Sequence, residues 1–496
     1  MLVLNLCGHD FHYEMENLCR VFYPDASVRI VYDSEQTGCV TSRITREADG
    51  FRIEASFGAQ HDTLFLPQDT QNIEEEKERL AAITLYHVLS RTAGYAPPWG
   101  ILTGVRPSKL MNTLIRELGA EGAEAFFREK LLVTDGKTRL TAAVAAQEAR
   151  IMHTSRPDSF SLYISIPFCP SRCSYCSFVS HSISTPSARK LVEPYVELLE
   201  REIAQCGSIA DALGLHLETI YIGGGTPTSL SAPQLSRLCS AVAQHFLADS
   251  AREFTVEAGR PDTITREKLL VLREAGVTRV SINPQTLNDD VLERIGRRHT
   301  AAQALDCFRT ARDLGFGNIN MDLIAGLDGD TPESFARTLD GVLALSPENV
   351  TVHTLALKRA SRLVTQENAS SAAGGSVVGQ MLETVLDRCT QDGYTPYYMY
   401  RQSRSVGNFE NVGWCRPGFE GLYNIFMMEE VHTVLACGAG AVTKLRNTDG
   451  KVIERIFNFK YPYEYISRFD ELTERKERIK SFYAEYPLEG TTTNRK

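Results

Sequence analysis

From Ser161 onward the chain alternates between two textures. Apolar runs of strand length, "SLYISI", "LETIYI", "EFTVE", "TRVSI", "NINMDLIAG" and "NVTVHTLAL", are separated by longer stretches whose apolar residues recur at helical spacing. The spacing predicts a first helix opening at Pro194, a residue tolerated at the first helical position, with Tyr195, Leu198, Leu199 and Ile203 on its apolar face. Thr331 and Pro332 frame another helix. Six such units, each long enough for a crossover, predict an α/β fold with a parallel sheet curled into a barrel or partial barrel, short of the eight units of a closed one.

The flanks read differently. Residues 1–155 mix strand-like runs, "SVRIVYD" and "FRIEASFG", with the helical "EEEKERLAAITLYHVLSRTAG", and predict a separate α+β module with no ligand cluster. The barrel is expected over 156–363. Beyond it, "TQENASSAAGGS" has the composition of a linker or lid. The remaining chain, within an expected C-terminal domain at 364–496, holds a helix, the aromatic run "YTPYYMYRQ", a Gly-rich "ACGAGA" and a charged helix, which predicts an α+β extension on the substrate side.

Composition narrows the function. A chain of 496 residues is expected to form two or three domains with interior enough to exclude water from a site. The net charge of −9 disfavours nucleic acid or an anionic membrane as the main partner. The start "MLVLNLCGHD" lacks a cleavable leader, and no run approaches the roughly 20 apolar residues of a membrane span. These features predict a soluble, cytoplasmic protein. Of the 12 cysteines, Cys7, Cys19, Cys39, Cys206, Cys239, Cys307 and Cys389 fit buried apolar positions in a reducing compartment.

Three other cysteines do not. "PFCPSRCSYCSF" places Cys169, Cys173 and Cys176 in one loop directly after the first strand, with no fourth cysteine at matching spacing. Three thiolates suit an iron–sulfur cubane that keeps one iron open to a ligand. The competing set is a closed zinc site of these three with His181. In βα barrels the carboxyl ends of the strands form the active face, and each strand here delivers polar or glycine positions to that end. They are Gly223, Gly224 and Gly225, then Glu257, Asn283, Gln285, Asp322 and His353. The glycines would let backbone approach a ligand closely. Glu257 also suits a strand-end ion pair, and Arg297, in "RIGRRH", a solvated helix charge.

"YISIPFCPSRCSYCSF", "GGGTPTSL", "VSINPQTLND", "IGRRHT" and "MDLIAGL", in that order, resemble the radical S-adenosylmethionine (SAM) enzymes of the oxygen-independent coproporphyrinogen III oxidase group. "PWGILTGVRPSKL" and "VEAGRPDTI" are similar to its coproporphyrinogen dehydrogenase HemZ branch. The resemblance implies the partial (β/α)6 TIM-like barrel of radical SAM proteins. It implies a [4Fe-4S] cluster on Cys169, Cys173 and Cys176, with SAM held on the open iron. By motif, Tyr163 and Tyr175 would flank the cluster, Gly224, Gly225 and Thr226 the amino-acid end of the cofactor, Glu257 and Arg297 its polar groups, and Gln285 and Asp322 its ribose.

In that group a low-potential donor, flavodoxin or ferredoxin, feeds the cluster. A 5′-deoxyadenosyl radical then takes hydrogen from a propionate of coproporphyrinogen III, which loses carbon dioxide and one electron to become a vinyl group. A tetrapropionate porphyrinogen needs cationic grips. Lys358, Arg359, Arg362, Arg401 and Arg404 are the candidates, Arg401 foremost because "YYMYR" offers an apolar wall; an aromatic strand packed into the core, with surface arginines, is the alternative. The resemblance also carries a departure. Established decarboxylases have a further cysteine where Phe178 stands, and an aromatic there resembles the haem-chaperone branch, which keeps the cluster and binds haem. Alternatively Phe178 packs against the loop and shields it from water.

Overall fold

In a computed structural model the described residues are 1–24, 26–34, 36–176, 178, 180–246, 250–356, 372–402 and 405–488. The chain opens with β1 (Leu2–Cys7), α1 (His12–Phe22), β2 (Val28–Tyr32), β3 (Val40–Arg46), β4 (Gly50–Phe57), β5 (Gln60–Pro67) and α2 (Ile73–Ala93). Their strands form a five-stranded sheet in the order β2-β1-β3-β4-β5. The two strand-like runs noted in the sequence fall on β2 and β4. Helix α2 carries Glu74, Glu75 and Glu76 in its first turn, where negative charge meets the positive end of the helix dipole, and stops at Gly94 in the left-handed region. Leu4, Leu6, Met15, Leu18, Val40, Ile53 and Leu85 close a core of their own.

The buried members of that core end at Leu89, and Ile101 and Leu132 pack against its edge. Trp99, Met111, Leu114 and Val144 belong instead to the core of the large sheet. They are carried by or lie beside α3 (Pro107–Ala125) and α4 (Asp135–Met152), and Trp99 donates its indole N–H to Glu410 Oε2 at 2.8 Å. The boundary expected at 155 therefore falls inside a continuous hydrophobic core, because helices of ordinary amphipathic pattern do not reveal which sheet they cover.

The barrel strands are β6 (Ser159–Ile166), followed by the two-residue pair β7 (Phe168–Cys169) and β8 (His181–Ser182), then β9 (His216–Gly224), β10 (Glu253–Gly259), β11 (Arg279–Ile282), β12 (Ile319–Ala325) and β13 (Asn349–Thr354). The interleaved helices are α5 (Pro186–Ala212), α6 (Ala232–His245), α7 (Arg266–Glu274), α8 (Asp289–Arg294), α9 (Ala301–Asp313) and α10 (Pro332–Leu343). Neighbouring strands from β6 through β9 to β13 pair in parallel, so the six expected βα units are present. Thr331 caps α10 by accepting from the Ser334 amide, as its sequence predicts.

Helix α5 starts eight residues earlier than expected. Thr185 caps it and Pro186 takes the first-turn position, while Pro194 sits inside the helix on its exposed face. One internal hydrogen bond is lost there, and burial of Tyr195, Val196, Leu199 and Ile203 on the opposite face holds the helix through the defect.

The C-terminal chain extends both edges of this sheet. Helix α11 (Ala372–Gln391) takes up residues 372–376 of the expected linker, and the rest of that stretch lies outside the described residues. Strands β14 (Thr395–Arg401) and β15 (Glu410–Cys415) add antiparallel beyond β13. The chain then crosses through α12 (Leu422–Glu429) to the opposite edge. There β16 (Thr433–Cys437) pairs parallel with β6, and β17 (Val442–Arg446) and β18 (Ile453–Phe457) follow antiparallel. The result is one 11-stranded sheet with seven adjacent parallel strands, closed off by α13 (Pro462–Ser467), α14 (Phe469–Lys476) and α15 (Arg478–Glu485). The sequence shows β16 only as the apolar start of "TVLACGAGA", which a buried helix would match equally well. Cys7, Cys19, Cys39, Cys206, Cys239 and Cys389 are buried and unpaired, and Cys307 is half-buried.

Candidate functional site

Alternation along the parallel strands turns every second side chain into the barrel. Inside lies a cavity of about 880 Å³. At its upper end are Cys169, Cys173 and Cys176, on the loop that leaves β6, and all nine residues assigned to the cofactor by motif line the same cavity.

The glycine motif, besides lining the cavity, has a local structural task. The amides of Gly225 and Thr226 donate to Ile166 O and Phe168 O, both at 2.8 Å, so they tie β9 to the cysteine loop. A Cβ on Gly225 would stand 2.7 Å from Phe168 O and 3.0 Å from Cys169 Sγ. Gly224 adopts φ +106°, outside the range of other residues. What approaches this backbone so closely is the loop itself. Thr226, fully covered, donates its hydroxyl to Cys169 Sγ at 3.4 Å.

Cys173 has a partner that the sequence reading missed. Arg260 is buried; its Nη1 donates to Ser171 Oγ at 2.8 Å and lies 3.6 Å from Cys173 Sγ, while its other nitrogens grip Asp262 at 2.9 and 2.8 Å. Its only trace in the sequence is "AGRP", directly after Glu257. Arg297 donates to Tyr175 Oη at 2.9 Å and Asn283 O at 2.7 Å and is buried, not a solvated helix charge.

Below this rim the strand ends carry the acids. Burial pushes the Glu257 carboxyl up to about 7, against the opposing effect of the Tyr221 hydroxyl that donates to it at 2.5 Å. Among the described residues it makes no ion pair. Burial also acts to raise Asp322, but the His353 ring beside it and the Asn320 amide at 2.7 Å outweigh this and hold it below the ordinary carboxylate range. Gln285 has φ +70°, pinned where its amide donates to Asp322 O, and its buried Oε1 has no partner. A non-glycine residue held there with an orphan acceptor is what a ligand-facing position shows. Tyr163, Tyr221 and Tyr423 stack as one wall, with Tyr221 and Tyr423 centroids 4.4 Å apart. Tyr423 comes from α12, so the wall draws on both the barrel and the C-terminal crossing.

Three expectations are corrected. Arg401 does not face the cavity: it is buried, its guanidinium donates to the carbonyls of Leu102, Gly104 and Asn408, and it covers the Trp99 ring at 5.0 Å. The alternative holds only in part: Tyr397 is packed in the core, but Tyr398 and Tyr400 line the cavity and Arg401 is buried, not at the surface. Phe178 is 66% exposed at the rim and packs no shield over the loop. His181 pairs through β8 with Phe168 and sets its ring edge-on against the stacked Tyr461 and Tyr463, away from the cavity lining. Lys358, Arg359, Arg362 and Arg404 lie outside the described residues.

Among the described residues no three His, Cys, Asp or Glu side chains converge on a single ion. A cubane takes its sulfurs on three different irons, and so accepts thiols spread along a loop. With three cysteines facing a cavity, a guanidinium beside one of them and an unpaired Gln285 oxygen further in, the residues present fit a cluster carrying a polar organic ligand.

Such a barrel with a three-cysteine loop after its first strand defines a class, and residues 163–342 match the Radical SAM superfamily. The chain is 36% identical to the Bacillus subtilis (strain 168) oxygen-independent coproporphyrinogen-III oxidase-like protein HemZ, over 98% of each chain. It is 41% identical over 256 residues to the haem chaperone HemW of the same organism, covering 51% of this chain and 64% of that one. Among solved structures, coproporphyrinogen III oxidase HemN from Escherichia coli superposes with a TM-score of 0.51 at 26% identity, over 66% of this chain and 73% of that one. The chain belongs to the oxygen-independent coproporphyrinogen-III oxidase-like family of radical SAM proteins. No helix among the described residues is long and apolar enough to cross a membrane.

Proposed function

We propose that this protein is a radical SAM oxidoreductase that converts propionate side chains of coproporphyrinogen III into vinyl groups, giving protoporphyrinogen IX in anaerobic haem synthesis. The observation that carries it is one continuous cavity, which joins the cysteine loop to a tyrosine-walled interior. A cluster and SAM bound at the upper end would supply an oxidant able to take one hydrogen atom from an unactivated carbon. Cys169, Cys173 and Cys176 would hold the cluster. Thr226, Glu257 and Arg297 would orient the amino-acid end of SAM, and Gln285 and Asp322 its ribose, each by the donor or acceptor character it presents. The enclosing strands and α12 keep water from the reacting carbon. Propionate balances against vinyl when one hydrogen atom goes to that oxidant, carbon dioxide is released and one electron passes to an external one-electron acceptor. Electrons would reach the cluster from flavodoxin or ferredoxin, and the protein would work in the cytoplasm.

A second reading is favoured by the 41% identity to HemW over half the chain: a cluster-bearing haem chaperone. Anaerobic incubation of reconstituted protein with reductant, SAM and coproporphyrinogen III separates the two. Vinyl product with stoichiometric 5′-deoxyadenosine supports decarboxylation. SAM cleavage without vinyl product, together with tight haem binding, supports the chaperone.

A further inference from the structure

Five cationic side chains among the described residues line the cavity, and four of them are engaged. Arg260 holds Asp262, Arg297 holds Tyr175 and the Asn283 carbonyl, and Lys444 and Arg455 both reach Glu430 at 3.2 Å. Arg279, the first residue of β11, is not. It is 2% exposed, and among the described residues its guanidinium has no hydrogen bond or ion pair, its Nε and Nη2 both being buried without a partner.

The carboxylates around it are already committed. Glu253 accepts from the amides of Leu422 at 2.7 Å and Tyr423 at 3.4 Å and from the Thr255 hydroxyl at 3.0 Å. Glu257 takes the Tyr221 hydroxyl, and Asp322 takes Asn320. A buried guanidinium without an acceptor is costly, and a planar fork of this kind is matched by an incoming carboxylate through two parallel hydrogen bonds.

The place of Arg279 in the strand says which carboxylate. Arg297, the Gln285 amide oxygen and the cysteines gather beyond the carboxyl end of β11, where Ile295 O and Gly296 O also receive the Ser174 and Ser171 ends of the cysteine loop. Arg279 lies four residues before Asn283, roughly 13 Å lower at about 3.3 Å per residue. A SAM molecule held at the rim by these groups would have its own carboxylate bound there. Around Arg279 stand Tyr397, Tyr398 and Tyr221, and Tyr221 belongs to the tyrosine wall of the cavity.

We propose that Arg279 forms a carboxylate subsite on the cavity floor that anchors a propionate of the bound tetrapyrrole, while the tyrosine stack carries a neighbouring pyrrole. This rests on the tetrapyrrole reading above and applies to a porphyrinogen and a haem alike, since both bear propionates.

The test uses full-length protein, reconstituted anaerobically, with coproporphyrin III as the stable probe, its tetramethyl ester as the uncharged control, and SAM measured separately. Arg279→Gln is expected to weaken coproporphyrin III binding about tenfold or more, with Arg279→Lys intermediate. Iron content, SAM affinity and the urea midpoint should stay at wild-type values, and the ester should bind wild type and Arg279→Gln equally. The wild type by itself should prefer the free acid to the ester by a similar factor, a result that needs no variant to fold. Unchanged coproporphyrin III affinity in Arg279→Gln overturns the subsite, and so does a parallel loss of SAM binding or stability, which would make Arg279 structural. If wild type binds no porphyrin, subsite and tetrapyrrole reading fall together. If wild type makes vinyl product while Arg279→Gln binds unaltered, the subsite alone falls.

Discussion

At the scale of single residues, the cavity is a set of groups displaced from their behaviour in water. Glu257 is neutral below and charged above about pH 7, because burial disfavours its anion. If the carboxylate accepts from the cofactor, SAM affinity should rise between pH 6 and 8 with a midpoint near 7. Glu257→Gln should flatten that rise and weaken binding about tenfold at pH 8, read by calorimetric titration. Equal pH slopes in the two proteins would remove Glu257 from the cofactor. Arg260 invites a different measurement. A guanidinium 3.6 Å from Cys173 Sγ would stabilise the more negative, reduced state of a cluster held by that thiolate. Arg260→Met should therefore retain iron and sulfide but shift the cluster midpoint to more negative potential, as followed by anaerobic redox titration. The sequence offers Cys169, Cys173 and Cys176 by spacing alone. Arg260 and Arg279 are legible only once alternation along β10 and β11 is known to face one interior.

At the scale of elements, the join between the cysteine loop and β9 is the most constrained part of the site. The Gly225 position has no room for a methyl group, with the Phe168 and Ile166 carbonyls 2.7 and 2.9 Å from where it would sit. Backbone cannot yield as a flexible side chain can. Gly225→Ala should push the loop from the strand and lower cluster occupancy well below one per chain in iron and sulfide assays, while far-ultraviolet circular dichroism stays native. Full cluster loading in that variant would show that the loop does not depend on the close approach. Helix α5 makes the opposite point. Pro194 should break it by local preference, yet a buried face of Tyr195, Leu199 and Ile203 carries the helix through.

At the scale of the whole molecule, a buried polar knot clips the C-terminal helices to the barrel. Lys476 and Glu202 are both fully buried and 3.0 Å apart, and Glu202 also accepts from Tyr465, Asn458 and the Gly438 amide. Lys476→Met leaves that carboxylate without its counter-charge and should cost about 3–5 kcal/mol in urea unfolding. Lys476→Met with Glu202→Gln should recover part of the loss. His432 bridges the Ser155 and Ser161 hydroxyls between β6 and β16, and burial, assisted by Arg446 and Arg252, holds its ring down to about 3. The unfolded chain binds a proton near pH 6.5 that the folded chain refuses, so stability should fall as pH drops below 6.5, by up to about 1.4 kcal/mol per pH unit from this group. His432→Asn should flatten that acid limb in urea midpoints taken from pH 7 to 5.

The sequence alone determined the six βα units and the three-cysteine loop. Both rest on local chemistry: strand and helix periods repeat within a dozen residues, and the cysteines are candidate ligands by their spacing. It also determined which strand ends face one mouth, since Glu257, Gln285 and Asp322 all line the cavity. Only the tertiary structure decided that residues 99–152 belong to the barrel core, that β16 lies against β6, that Arg401 is a packing residue, and that Arg279 is left without a partner. These depend on contacts between segments hundreds of residues apart, as between Leu102 and Arg401 or Glu202 and Lys476, and no local pattern records which distant acceptor a buried side chain will meet.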